Sequence, residues 1–114
     1  MVAPAIGQVV LVPFPFSDLT SAKLRPAVVL ADAGRDDWVL CQVTSNPYSD
    51  LHAIQLVETD FRSGSLQITS YARPGKLFTA NSSLIVSQVG RLKMERARDI
   101  VEAIVSLLRT GIKA

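Results

Sequence analysis

The chain has 114 residues, of which 48% are hydrophobic and 19% charged, the make-up of a single folded domain over residues 1–114 and not of a disordered segment. Twelve Lys and Arg against ten Asp and Glu leave a net charge of +2, which excludes a broadly polycationic protein, so nucleic-acid contacts would have to come from local clustering. One Cys and one His exclude an intramolecular disulfide and a zinc site built from those ligands, and no metal or cofactor is expected.

In chain order, the N-terminus carries no basic segment followed by a long apolar one, and Pro4 and Gly7 interrupt it. No apolar run reaches spanning length, so the expectation is a cytoplasmic protein with no membrane contact. Residues 8–12 form a β-branched run opened by Gly7 and closed by Pro13, which predicts a first strand. Residues 13–23 hold two prolines and read as a long loop. A second strand is expected over 27–31, a turn containing Gly34 over 32–37, and a third strand over 38–44. Cys41 in that third strand reads as a small buried hydrophobe.

Residues 46–50 break the chain, and 53–57 show the alternation of a fourth strand. Residues 60–65 are polar and turn-like. Further strands are expected over 66–71, 76–79 and 84–89, separated by Arg73-Pro74-Gly75 and Asn81-Ser82-Ser83. Short strands at this spacing predict a small barrel or a strongly bent sheet. The period then lengthens. Ala97, Ile100, Val101, Ile104, Leu107 and Leu108 recur at helical spacing over about 94–109, with Gly111 placed as a stop signal. One amphipathic helix packing on the barrel or on a second subunit accounts for that stripe.

Arg25 precedes Pro26, which restricts it to extended backbone at the entrance to an apolar strand. Arginine stays charged at any working pH and offers a donor fork matched to phosphate oxygens. Alone it reads first as a surface arginine pairing with a nearby carboxylate. Thr44 and Ser45 end the next strand, where hydroxyls can orient a phosphate, though they are also ordinary turn formers. Arg73 and Lys76 are the candidates for further phosphate contacts, and Lys23 for extending a groove beside Arg25. Among the loop aromatics Phe14, Phe16 and Tyr48, Tyr48 is the candidate for stacking an unpaired base. His52 reads as a solvated or packing histidine.

The ordered set Gly7-Gln8-Val9-Val10-Leu11-Val12-Pro13-Phe14-Pro15-Phe16, Lys23-Leu24-Arg25-Pro26-Ala27-Val28-Val29-Leu30, Val43-Thr44-Ser45 and the run from Ser70 to Thr79 resembles the PemK/MazF toxins of bacterial type II toxin–antitoxin systems. The resemblance implies a mainly β fold, an SH3-like barrel of the plasmid maintenance toxin/cell growth inhibitor type, with a C-terminal α-helix and a homodimeric state. It implies a metal-independent endoribonuclease that cleaves single-stranded RNA, messenger RNA above all, and is neutralised by a cognate antitoxin. Operator DNA would be met only through the antitoxin complex. The family's catalytic pair carries over to Arg25 and Thr44. RNA-binding roles fall to Lys23, Ser45, Tyr48, Arg73 and Lys76.

Such an enzyme directs the 2′-hydroxyl at the adjacent phosphorus, leaving 2′,3′-cyclic phosphate and 5′-hydroxyl ends. Arg25 would stabilise the phosphorane, with proton transfer as its second role. One branch of the family pairs an arginine matching Arg73 with an aspartate two residues on, but that position is Gly75 here. Gln8 also replaces a common aspartate. Two alternatives stay open: a barrel toxin of the same fold that binds DNA gyrase through the end of its helix without cutting, and a catalytically silent barrel that binds RNA or protein.

Overall fold

The structure, a computed structural model, describes residues 3–15 and 22–113. Among the described residues seven strands form one antiparallel sheet: β1 (Gln8–Pro15), β2 (Ala22–Gly34), β3 (Asp37–Thr44), β4 (Ile54–Leu56), β5 (Phe61–Gly64), β6 (Ser70–Asn81) and β7 (Ser87–Leu92). Their order across the sheet is β4-β6-β3-β2-β1-β7-β5. This half-barrel is followed by one helix, α1 (Met94–Lys113), as the strand and helix periods predict.

Strands β1 to β3 are apolar at consecutive positions because both faces of the sheet are covered. On one face Val9, Val28, Cys41, Val43, Leu56, Ala72 and Leu92 pack with Ile100 and Ile104 of α1. On the other, Val10, Val12, Ala27, Val29, Leu40, Ala80 and Ile85 form a second cluster edged by Ile6, Phe14, Trp38 and Phe78. Adjacent residues such as Val9 and Val10 therefore fall into different clusters, the strand period of two made visible. Phe14 meets Phe78 edge-on with ring centroids 4.5 Å apart, so it anchors the strand end instead of offering a stacking surface. Phe16 lies outside the described residues, as does the middle of the loop expected over 13–23.

Four expectations from the sequence need correction. First, β1 does not stop at Pro13, because Pro13, Phe14 and Pro15 pair with Leu24, Lys23 and Ala22. Strand β7 leaves β1 after Leu11, so the prolines stand on a free edge, where a missing N–H costs no ladder bond. Second, Arg73-Pro74-Gly75 does not separate two strands. It bulges out of the continuous β6: between the pairs Cys41↔Leu77 and Val43↔Ala72, the single residue Gln42 faces residues 73–76. A bulge needs no ladder donor from proline, and Pro74 is fully buried. Residues 66–69 precede that strand.

Third, the region expected as a turn over 60–65 contains a short 3-10 turn (Glu58–Asp60) and β5. A second 3-10 turn (Ser82–Leu84), capped by Asn81 Oδ1 accepting from Ser83 N, delays β7 to Ser87. Fourth, α1 runs through Gly111 to Lys113. A mid-helix glycine costs only about 1 kcal/mol against alanine, too little to end an established helix. Its first turn is tied down by Arg96, whose Nη2 donates to Gln55 O at 2.6 Å and whose Nη1 pairs with Asp99 at 3.0 Å.

Candidate functional site

Strand pairing lays out the site. Arg25 of β2 stands opposite Val12 of β1. On the other side of β2, Ala27 pairs with Gln42 and Val28 with Cys41 of β3. Carried two residues further, that register sets Arg25 across from Thr44; Pro26, having no N–H, cannot extend the ladder itself. Thr44 pairs with Tyr71 of β6, and Tyr71 with Gln55 of β4. Opposed residues of antiparallel strands share a face, so Arg25, Thr44 and Tyr71 form a row across adjacent strands. Val12 belongs to the cluster remote from α1, which places this row on the sheet face opposite the helix. Alternation adds Lys23, two residues before Arg25 on β2 and exposed.

Thr44 is only 5% exposed. Its Oγ1 donates to Asn46 O at 3.0 Å and accepts from Asn46 N at 3.1 Å, a local turn that opens the loop after β3. A phosphate oxygen presented at this point competes with Asn46 O for the Thr44 hydroxyl proton. Ser45, next in the chain, is exposed.

The loop folds back on itself through three more bonds. Tyr48 N donates to Asn46 Oδ1 at 3.0 Å, Asp50 N to Pro47 O at 2.9 Å, and His52 N to Asp50 Oδ1 at 2.9 Å. Tyr48 and Ser49 are both left-handed, with φ of 53° and 62°. Such backbone costs on the order of 1–3 kcal/mol per residue and persists only where its surroundings hold it. The result is a Tyr48 side chain 63% exposed with the Arg73 guanidinium 5.6 Å from its ring centroid.

Arg73 is fixed from two sides. Its Nε donates to Asp50 Oδ2 at 3.0 Å, an ion pair that is largely screened from solvent. Its carbonyl accepts from the Cys41 thiol at 3.2 Å. The Arg73 bond, followed by the His52 N–H, holds the Asp50 carboxyl below its ordinary value of 3.8. A depressed folded-state value means that the ionised pair stabilises the fold fully above pH 3.8. That contribution is lost as pH falls through the lowered value.

Burial, above all, pushes the Cys41 thiol up to about 12. With little thiolate and no solvent access, Cys41 should alkylate with iodoacetamide at pH 8 at least about 100-fold more slowly in the folded protein than in denaturant. Mass spectrometry of timed aliquots checks this; equal rates would contradict the burial.

Of the residues singled out by sequence, the structure brings Arg25, Thr44 and Lys23 onto one face and sets Arg73 against Tyr48. Lys76 does not join the row: it is exposed at the far end of the β6 bulge. His52 is exposed and contributes its backbone N–H to Asp50. Two residues escaped the sequence reading. Tyr71 carries a usable signal, since it shares strand parity with Arg73. Asp50 carries none that links it to Arg73, 23 positions away. Among the described residues no three or more His, Cys, Asp or Glu side chains gather as a metal site, and no helix is long and apolar enough to cross a membrane.

Comparison with known families matches residues 5–108 to the PemK-like, MazF-like toxins of type II toxin–antitoxin systems. Among solved structures, MazE-MazF from Deinococcus radiodurans superposes with a TM-score of 0.76 at 18% identity, covering 95% of this chain and 97% of the other. An endoribonuclease in complex with its cognate antitoxin from a mycobacterial species gives 0.70 at 16% identity, covering 95% of each chain. Toxin MazF-mt6 of Mycobacterium tuberculosis gives 0.68 at 16% identity over 90% of this chain and 96% of that one. At these identities the superpositions establish the fold. No curated protein sequence matches the chain.

Proposed function

Because the chain belongs to the PemK-like, MazF-like toxin family of type II toxin–antitoxin systems, we propose that it is an endoribonuclease that cleaves single-stranded RNA without a metal ion. The observation that carries this reading is Arg25 of β2 standing in register with Thr44 at the end of the adjacent β3, with Arg73 in the bulge of β6 beyond it. Arg25 donates to the non-bridging oxygens as negative charge builds on phosphorus. Thr44 Oγ1–H orients the same phosphate, assisted by Ser45, so that the 2′-hydroxyl can attack in line. The 2′-hydroxyl proton passes to solvent water as the new O2′–P bond forms; the P–O5′ bond breaks and the departing O5′ takes a proton from water, giving a 2′,3′-cyclic phosphate and a 5′-hydroxyl end.

Asp50 is a poor candidate for the base that removes the 2′-hydroxyl proton. Its pairing with Arg73 keeps its proton affinity below that of an ordinary carboxylate, and a general base works best when matched to the operating pH. The rate enhancement therefore rests on alignment and on charge stabilisation by Arg25. Lys23 adds a phosphate contact beside Arg25, while Lys76, outside the row, would meet only RNA that runs on past the β6 bulge.

The solved MazE-MazF complex supports a cognate antitoxin as partner of this chain; in this reading an acidic segment of that antitoxin lies on the cationic row and competes with RNA, and two copies of the chain form a cytoplasmic homodimer. The test is incubation of purified protein with a long single-stranded RNA in excess chelator. Fragments ending in 2′,3′-cyclic phosphate are expected. Intact RNA together with loss of gyrase supercoiling would replace this reading with the gyrase-binding one.

A further inference from the structure

Two residues after Arg73, where the resemblance implied an aspartate in one branch of the family, this chain has Gly75, whose Cα faces Leu107 of α1, with room for a Cβ 3.6 Å away from that side chain. A carboxylate nevertheless reaches Arg73, from a different segment and with a different geometry. We propose that Asp50 is a positioning residue that locks Arg73 and Tyr48 into a subsite for one unpaired nucleotide, Tyr48 stacking the base and the Nη edge of Arg73 taking a phosphate. This inference rests on the RNA-directed reading above.

Four observations converge on it. Asp50 uses both carboxylate oxygens: Oδ1 accepts from His52 N at 2.9 Å, and Oδ2 accepts from Arg73 Nε at 3.0 Å. The ion pair engages Arg73 through Nε, and among the described residues neither Nη takes a hydrogen-bond partner. The guanidinium is thus oriented without using its outward fork, the part suited to a phosphate. That same guanidinium lies over the Tyr48 ring at 5.6 Å, while 63% of Tyr48 stays in solvent. Finally, Tyr48 and Ser49 are held at positive φ by bonds to Asn46, Pro47 and Asp50. A large aromatic residue is costly at such backbone, and the loop spends that energy on pointing an aromatic face outward beside a cation. Single-strand recognition needs that pairing of a stacking surface with a nearby positive charge.

Asp50→Asn is the discriminating change. An amide placed like the carboxylate can accept one bond through its oxygen but sets an N–H donor against the other donor. Whichever way it faces, either Arg73 Nε or His52 N loses its partner. Affinity for a 2′-O-methylated, uncleavable RNA oligomer, measured by fluorescence anisotropy, should fall about 10-fold, the loss of one stacked, charge-backed contact. Tyr48→Ala should cost a similar factor. The double variant should lose no more than either single one, because both changes disable one unit. With cleavable RNA the Asp50→Asn loss should appear in KM more than in kcat.

Thermal melting of each variant separates this from a folding defect, and Asp50→Glu, keeping the charge, should recover part of the affinity. Multiplicative losses in the double variant, or unchanged affinity in Asp50→Asn, overturn the proposal. If the wild type binds the oligomer but cleaves no RNA, the ribonuclease reading falls and the coupled loss still supports the subsite. If the wild type does not bind single-stranded RNA at all, both readings fall.

Discussion

Replacing Arg25 with alanine is expected to lower the initial rate of RNA cleavage by about 1,000-fold, the scale seen when one preorganised donor to a developing oxyanion is removed. The expectation follows from position. Arg25 is the row's one permanent charge standing across from Thr44 in register, on a strand whose next residue, Pro26, restricts its backbone. Its neighbours Ala27 to Val29 are fully buried, so the guanidinium rides on rigid structure and pays little to reach its working geometry. Arg25→Lys keeps the charge but loses the planar fork, and should fall between wild type and alanine. Initial rates on a fluorogenic RNA, with circular dichroism to verify folding, measure both. An alanine variant cleaving at the wild-type rate would remove Arg25 from the chemistry.

The second large effect concerns stability. Gly64→Ala should destabilise the protein by about 3 kcal/mol, lowering the melting temperature on the order of 10–20 °C. Gly64 ends β5 with φ of +67°, where an L side chain is strained. A Cβ there would also strike the backbone of β7, inside contact distance of Val89 O and 2.5 Å from Gly90 Cα. Backbone atoms of a paired strand cannot step aside as a side-chain tip can. Gly34 is the internal control. Its φ is +89°, yet a Cβ there meets nothing within 4 Å, so Gly34→Ala should cost only the conformational strain, about 1 kcal/mol. Urea titration of the two variants side by side distinguishes crowding from strain; similar losses would show that the β5–β7 contact is looser than described.

Period and turn chemistry carry most of the fold in plain view. The change from alternating strands to the helical spacing of Ala97, Ile100, Val101, Ile104, Leu107 and Leu108 locates α1; of that stripe the structure buries Ala97, Ile100 and Ile104 and leaves Val101 and Leu108 exposed. What local pattern cannot carry is pairing. Prolines 13 and 15 look like loop residues until β7 is known to part from β1 after Leu11. Pro74 looks like a break until Gln42 is seen facing a bulge of residues 73–76. The site divides in the same way. Arg25 and Thr44 were legible because Arg-Pro marks the approach to one apolar strand and Thr-Ser the end of the next, and strands consecutive in sequence pair. Asp50 was not, because its partner lies on β6, and only the sheet order β6-β3 brings them together.

The sheet is open, and its two outermost strands are also its shortest: β4 with three residues and β5 with four. An exposed strand edge invites hydrogen bonding by any passing chain, the first step of uncontrolled polymerisation. Strands β4 and β5 themselves present few free backbone groups to template a neighbour. On the β5 side the left-handed Gly64 turns the backbone out of line where an incoming strand would continue. Short, twisted outer strands thus build part of the protection against aggregation into the outline of the fold.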